Sequence, residues 1–304
     1  MKYIFLLFTL IFSREINAQC PITSEELKMH VSYLASDKME GRYPGTAANT
    51  KVVNYISENF RQNGINPIKA NYLQEFVAQL RRDSTKVKTW NVVGMIEGND
   101  EYLKNEFIVL GAHYDHLGKL GEIIYNGADD NASGTAALLE ISQKLGANRK
   151  FLKRSIIFIA FGAEEQGLLG SQYFTEHPLV PLEKIKLMVN IDMLGRLNNE
   201  KHVYIGGGGT FPEGESMLKI LGEQTQITPI VHAGSVAGSD HVSFYKKNIS
   251  VLGIHTGGHE QYHTPNDKVG LIKFDGEQKA ANYIFDIIME IASTNKNMEF
   301  IKQD

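Results

Sequence analysis

The feature that most constrains the fold is a series of short apolar runs separated by segments with helical periodicity. Four runs rich in Val, Ile and Leu cover residues 107–112, 155–161, 187–191 and 249–254. Continuous apolar runs of this length are typical of interior strands with both faces covered. Apolar residues at helical spacing occupy 135–145, 211–223 and 275–292. Strands that alternate with helices predict an α/β fold: a three-layer sandwich whose central sheet is mixed, mostly parallel and flanked by helices.

The chain before these runs predicts two helices and a hairpin. The start Thr23-Ser24-Glu25-Glu26 and the apolar spacing after it predict a helix over 23–37, and a second helix fits 47–62. Residues 74–98 are typical of a hairpin, which is why a mixed sheet is expected. The sequence shows no internal repeat or linker, and its 304 residues suffice for one large core. We therefore expect a single domain over residues 19–304.

The N-terminus has the pattern of an export signal. Lys2 precedes an apolar stretch over 3–12, and a polar segment follows as far as Ala18. The stretch is too short to span a bilayer, and no other apolar segment approaches that length. We expect a signal peptide over residues 1–18, export to the periplasm or the medium, and no stable membrane span. Cys20 is the only cysteine; lipid anchoring through it is the alternative, and a disulfide within the chain is excluded.

The charge balance gives no indication of a nucleic-acid partner. Lys and Arg number 31 against 35 Asp and Glu, which gives a formal net charge of -4. Proteins that follow a phosphate backbone carry a basic patch, and no cluster of basic residues is visible in the sequence. We expect no binding of nucleic acid.

Two adjacent carboxylates, Glu164 and Glu165, directly follow the apolar sequence SIIFIAFGA. Ionised carboxylates leave water only when they are paired or bind a metal. No Lys or Arg lies between Ser155 and Gly170 to serve as a local partner. The pair therefore indicates a metal site or a proton-transfer site.

Further residues of the types that bind metals lie just past the other apolar runs. They are His113 and Asp115 in HYDHLG, Asp129 and Asp130 in ADDNASG, Asp192 in NIDMLG and His263 in YHTP. Each has an ordinary explanation taken alone: a helix cap, a core histidine or a turn. Ligands of open α/β sheets bind at the carboxyl ends of the strands, so their coincidence at successive strand ends favours a metal site. Imidazoles and carboxylates without thiolates suit catalytic zinc, with cobalt or manganese as substitutes.

Six motifs, in order, resemble the two-zinc aminopeptidases of the aminopeptidase S and aminopeptidase Y type. They are HYDHLG, GADDNASG, AFGAEEQGLLGS, NIDMLGR, GSDHVSF and YHTPNDK, and the upstream SYLASDKMEGRYPGT is similar to that family's N-terminal segment. The resemblance implies two Zn²⁺ per chain. His113 and Asp192 would bind one zinc, Glu165 and His263 the other, and Asp130 would bridge them.

The resemblance also implies the chemistry. Glu164 would be the general base acting on a zinc-bridging water, Asp115 would accept a hydrogen bond from His113, and the Tyr262 phenol would stabilise the oxyanion. The implied protein is an exported aminopeptidase acting on peptides with a free N-terminus. A glutaminyl cyclase-like acyltransferase of the same fold, a related carboxypeptidase or deacylase, and a catalytically inactive receptor are the alternatives.

Residues 259–263 also fit the H-E-x-x-H pattern of single-zinc proteases, which requires a helix. Two glycines before this segment and Pro265 after it argue against a helix there. Asp240 and His241 resemble the family's substrate-side loop or, equally, a helix N-cap. The remaining histidines near the motifs line the pocket or lie on the surface: His116, His255 and His259.

Overall fold

A computed structural model describes residues 20–303 of the chain. The prediction of a signal peptide over residues 1–18 lies outside the described residues. No helix in the described part is both long enough and apolar enough to cross a membrane.

Helices account for much of the described chain. In chain order they are α1 (Ser24–Leu34), α2 (Ala47–Gln62), α3 (Gly134–Ala147), α4 (Leu169–Glu176), α5 (Gly214–Thr225), α6 (His241–Tyr245) and α7 (Phe274–Ala292). The predicted start of the first helix is confirmed, since Thr23 caps it by accepting a hydrogen bond from the Glu26 amide. That helix ends at Leu34 rather than at residue 37, and α2 has the predicted bounds.

Strands alternate with these helices. They are β1 (Asn66–Pro67), β2 (Leu73–Gln79), β3 (Lys86–Ile96), β4 (Phe107–His113), β5 (Gly118–Leu120), β6 (Ile123–Tyr125), β7 (Ser155–Phe161), β8 (Ile185–Ile191), β9 (His202–Gly206), β10 (Thr228–His232) and β11 (Ser250–His255). The four predicted interior strands correspond to β4, β7, β8 and β11. The predicted hairpin corresponds to β2 and β3, which pair antiparallel.

Within residues 20–303, nine strands form one mixed sheet. Its order is β1-β3-β7-β4-β8-β11-β9-β10, with β2 also paired to β3. The centre, β7-β4-β8-β11, is parallel. Antiparallel pairs lie on either side of it, between β3 and β7 and between β9 and β11. The predicted mixed, mostly parallel sheet is confirmed, and its parallel centre brings four carboxyl strand ends to one edge.

Both faces of the sheet are covered, as β7 shows by its alternation. Ile156, Phe158 and Ala160 belong to the larger core cluster, which α1, α2, α3, α5 and α7 complete. The residues between them point the other way and join a second cluster that includes Phe174 of α4 and Phe244 of α6. Successive strand residues face opposite sides. The result is the predicted three-layer sandwich.

Candidate metal centre

Three neighbouring strands end at the edge where the candidate ligands lie. His113 is the last residue of β4, Glu164 and Glu165 follow β7, and Asp192 follows β8 directly. Because β7, β4 and β8 are adjacent and parallel, these side chains converge at one place. Loops bring Asp130, which precedes α3, and His263, which follows β11, to the same place.

Asp130 lies between two groups of possible ligands. Its Oδ1 is 3.3 Å from His113 Nε2, and that nitrogen is 3.4 Å from Asp192 Oδ1. Its Oδ2 is 3.0 Å from His263 Nε2, which is 3.3 Å from Glu165 Oε2. The structure therefore brings together all five residues expected to bind metal, and each oxygen of Asp130 faces a different pair.

These spacings match what zinc requires. With bonds of about 2.1 Å to nitrogen and oxygen, two ligand atoms on a tetrahedral zinc lie about 3.4 Å apart. The four contacts around Asp130 fall between 3.0 and 3.4 Å. Asp130 Oδ2 is buried and makes no hydrogen bond, although His263 Nε2 lies close to it. A buried carboxylate oxygen without a hydrogen bond fits a site that holds a cation.

The charges of the site also fit a cation. Burial favours the neutral form of His113, yet the charges of Glu164 and Asp192 raise its pKa well above the ordinary value. The Asp130 and Glu165 carboxylates raise the pKa of His263 to about 10. Burial opposes ionisation of Asp130, but the nearby His113 and His263 imidazoles keep its pKa well below the usual range. Protonated imidazoles thus balance a buried anionic cluster when no metal does so.

The chain turns sharply where β7 ends, so that both glutamates face the centre. Ala163 has a positive φ of 58°, and the carbonyl of Glu164 accepts hydrogen bonds from the amides of Gly167 and Leu168 at 2.8 Å. Within residues 20–303, two three-residue groups have the spacing to hold a metal: His113, Asp130 and Asp192, and His116, Asp130 and Glu165. Glu164 belongs to neither group. Burial raises the pKa of Glu164 well above its ordinary value; the charge of His113 opposes this shift, and nearby carboxylates add to it.

Asp115 acts on this turn rather than on His113. Its Oδ1 accepts a hydrogen bond from the Glu164 amide at 2.9 Å, and its Oδ2 lies 3.4 Å from the Glu165 amide. The imidazole Nδ1 of His113 lies 3.3 Å from the backbone carbonyl of Asp115 and 4.0 Å from its carboxylate. The expected carboxylate–imidazole hydrogen bond is therefore replaced by one to the main chain.

Asp267 organises the loop that carries Asp130, a role that the sequence analysis missed. Its Oδ2 accepts hydrogen bonds from the amides of Asp129 at 2.8 Å and Asp130 at 3.1 Å. Asn131 ties the same loop to the end of β8, because its amide group donates to Ile191 O and accepts from Met193 N. The only sequence signal for Asp267 is its place in YHTPNDK.

Tyr262 lies against a ligand histidine. Its ring stacks on His263 with centroids 3.8 Å apart and planes 20° apart, and 47 % of the residue is exposed. Burial of the phenol and the charge of Asp130 raise its pKa.

The H-E-x-x-H segment is not helical. Residues 260–263 form turns, and residue 259 has no regular secondary structure. His259 Nε2 lies 3.1 Å from Asp129 Oδ2, whereas His263 faces Asp130 and Glu165. Since the two histidines have different partners, the geometry of a single-zinc protease is absent from this segment.

Other residues near the motifs differ in burial. Asp240 precedes α6 without capping it through its side chain, and both of its carboxyl oxygens are buried without a hydrogen bond. Burial raises its pKa to about 7. His116 is fully buried and contacts Glu165, whereas His255 is exposed.

Fold and site together define a class of α/β proteins. In this class, candidate metal ligands lie at the carboxyl ends of the parallel strands of a mixed sheet, in two groups with one carboxylate between them. The model of Peptidase family M28 matches residues 91–288. The chain belongs to peptidase family M28.

Similar proteins agree with this membership. Leucine aminopeptidase 2 of Trichophyton equinum is 33 % identical over 201 residues, which cover 64 % of this chain and 38 % of that protein. The chain thus spans about two fifths of the length of the curated relatives it matches.

Solved structures share the fold. The zinc aminopeptidase BSAP from Bacillus subtilis matches with a TM-score of 0.72 at 18 % identity, covering 93 % of this chain and 99 % of BSAP. Porphyromonas gingivalis glutaminyl cyclase matches with a TM-score of 0.70 at 20 % identity, covering 89 % and 99 %. Because a peptidase and a cyclase both have this fold, the fold alone does not select the reaction.

Proposed function

We propose that this chain is an exported, zinc-dependent aminopeptidase that removes residues from the free N-terminus of peptides. The observation that supports it most is Asp130, whose two oxygens face separate ligand pairs at zinc spacing. The name of the Trichophyton relative, leucine aminopeptidase, supports the substrate class.

The residues around the centre have distinct roles in this proposal. Two zinc ions held by His113, Asp192, Asp130, Glu165 and His263 would supply Lewis-acid polarisation of the peptide carbonyl and a lowered pKa of the attacking water. Glu164, outside both ligand groups, accepts the proton of the water and passes it to the departing amine. Asp115 holds the turn that aims Glu164, and the half-exposed Tyr262 phenol donates to the oxyanion.

A chelation experiment tests the activity. We expect aminoacyl anilides to be hydrolysed, the activity to disappear with chelator, and zinc, cobalt or manganese to restore it. N-acetylated versions of the same substrates should resist hydrolysis, because they lack the free amine. Absence of chelator-sensitive hydrolysis on every free-amine substrate would refute the proposal.

A matched pair of variants tests the assignment of the base. Glu164→Gln should reduce kcat by at least about 100-fold, since general bases contribute roughly 10² to 10⁴ in rate. Glu260→Gln, the same change at the exposed glutamate of the H-E-x-x-H segment, should retain most activity. The opposite result would move the base to Glu260.

The glutaminyl cyclase alternative is an outcome of the same experiments. A cyclase of this kind is expected to have an indole-lined pocket, whereas the single tryptophan, Trp90, lies in β3 and packs partly buried against the larger core cluster. One zinc per chain with cyclisation of N-terminal glutamine would favour the cyclase.

Export is the second part of the proposal and rests on the sequence of residues 1–18. Mass spectrometry of the mature protein should find a chain that begins at Gln19 without an acyl group. An acylated Cys20 would indicate a lipid anchor instead, and a chain that retains residues 1–18 would contradict export through a cleaved signal.

A further inference from the structure

His116 lies in the loop between β4 and β5 and is enclosed on all sides. Its exposed fraction is 0 %. A Cβ at Gly127 would lie 2.5 Å from the ring atoms Cγ and Cδ2 of His116, so glycine is needed there for the ring to fit. The chain therefore holds this imidazole in one place, three residues after the ligand His113.

The imidazole of His116 contacts a metal ligand. Its Nδ1 lies 2.7 Å from Glu165 Oε1, while the other oxygen of Glu165 faces His263 at 3.3 Å. Its Nε2 is buried and makes no hydrogen bond. If Nε2 carried the proton, a buried donor would be unpaired and the Nδ1 lone pair would face a carboxylate. The Nδ1–H tautomer avoids both costs.

The distances distinguish a hydrogen bond from shared coordination. Two atoms bound to one tetrahedral zinc are about 3.4 Å apart, as the ligand pairs around Asp130 nearly are. His116 Nδ1 is closer to Glu165 Oε1, at 2.7 Å, and more distant from Asp130 Oδ2, at 3.8 Å. The distance of 2.7 Å is that of a hydrogen bond. His116 Nδ1 and Glu165 Oε1 therefore do not have the spacing of two atoms bound to one zinc.

We propose that His116 is a positioning residue for the metal bound by Glu165 and His263, called here the second metal. Its Nδ1–H donates to Glu165 Oε1 and turns Oε2 toward His263 and Asp130. Without this donor, the Glu165 side chain samples other rotamers, and the metal must select one of them. Hydrogen-bond partners of metal ligands typically contribute about 10- to 100-fold to metal affinity. The inference rests on the two-metal centre proposed above.

Metal binding by two amide replacements of different length tests this role. His116→Asn places an amide N–H near the position of Nδ1, whereas His116→Gln places it one carbon further out. In metal-free protein titrated with zinc against a competing chelator, we expect His116→Gln to weaken the second site about 10- to 100-fold. His116→Asn should restore most of that loss, and the site of His113 and Asp192 should change little in either variant. His232→Asn, at an exposed histidine of β10, is the control.

Each outcome is decisive. Equal second-site affinity in wild type and His116→Gln, with both folded by circular dichroism, overturns the positioning role. If His116→Asn binds zinc at the second site as weakly as His116→Gln does, and the absorption spectra of the cobalt-loaded variants show one nitrogen ligand fewer than that of wild type, His116 coordinates the metal directly. The proposal is then wrong. A wild-type protein that saturates at one zinc would instead refute the two-metal centre itself.

Discussion

At the residue scale, one carboxylate joins the two candidate groups of metal ligands. Asp130 is the only residue shared by the two ligand groups found within residues 20–303. Its neighbour Asp129 is buried as well, but it faces His259 and the Gly195 amide instead. Two adjacent aspartates of equal chemistry therefore have different roles, which their contacts distinguish.

Substitution of these aspartates should change zinc stoichiometry in different ways. Asp130→Asn removes negative charge from both groups, so we expect affinity at both sites to fall by more than about 100-fold, beyond the usual effect of an indirect partner. Asp192→Asn should lose one site and keep the other. Asp129→Asn, the matched control, should still bind two zincs. Equilibrium dialysis with metal analysis gives the counts, and two retained zincs in Asp130→Asn would contradict the bridging role.

At the scale of elements, one buried cation joins the loops that carry the ligands. The Arg42 guanidinium donates to the carbonyls of Leu34, Tyr114, Asn126 and Gly127 at 2.6 to 2.9 Å. It therefore links the end of α1 to the segment after β4 and to the one before Asp130. Burial lowers its pKa to about 10, against the opposing effect of nearby carboxylates, so it stays charged at neutral pH.

Arg42→Lys should destabilise the protein through these carbonyls. A lysine ammonium has three donors and lacks the planar fork, so at least one buried carbonyl loses its partner. We expect the free energy of unfolding to fall by about 2–4 kcal/mol, since hydrogen bonds to charged groups contribute roughly 1.5–3 kcal/mol each. Denaturant unfolding in chelator measures the change. Arg82→Lys is the matched control: exposed Arg82 also donates to two carbonyls, of Leu117 and Lys119, and should change stability by less than about 0.5 kcal/mol. Equal losses in both variants would refute this explanation.

Sequence patterns predicted the elements with strong periodicity and missed the contacts between distant segments. Helix 47–62 and strand 155–161 have the predicted bounds, because caps and apolar runs are local signals. The short strands β9 and β10 and the eight-residue helix α4 were not predicted, since they are short or partly exposed. At the site, the motif order indicated the ligands. The hydrogen bonds of Asp115, Asp267 and Arg42 depend on residues far apart in sequence, and no local pattern encodes them.

At the scale of the whole molecule, the stability of the fold depends on carboxyl groups buried away from the metal ligands. Glu277, in the first turn of α7, is fully buried, and neither of its carboxyl oxygens makes a hydrogen bond. Burial, together with the charges of Asp129 and Glu140, raises its pKa well above the ordinary value. The folded protein therefore keeps a proton on Glu277 at pH values where the unfolded chain has lost it.

This difference gives stability a pH dependence of known sign. Above the unfolded pKa of about 4.3, folding takes up a proton, so stability falls as pH rises toward the raised pKa of the folded state, by up to about 1.4 kcal/mol per pH unit. Glu277→Gln has nearly the same shape and does not ionise. We expect it to match wild type near pH 4 and to be increasingly more stable from pH 5 to pH 8. Denaturant unfolding at fixed zinc concentration measures both slopes. Exposed Glu223→Gln should leave the wild-type slope unchanged, and parallel pH profiles for wild type and Glu277→Gln would show that Glu277 is ionised in the folded protein.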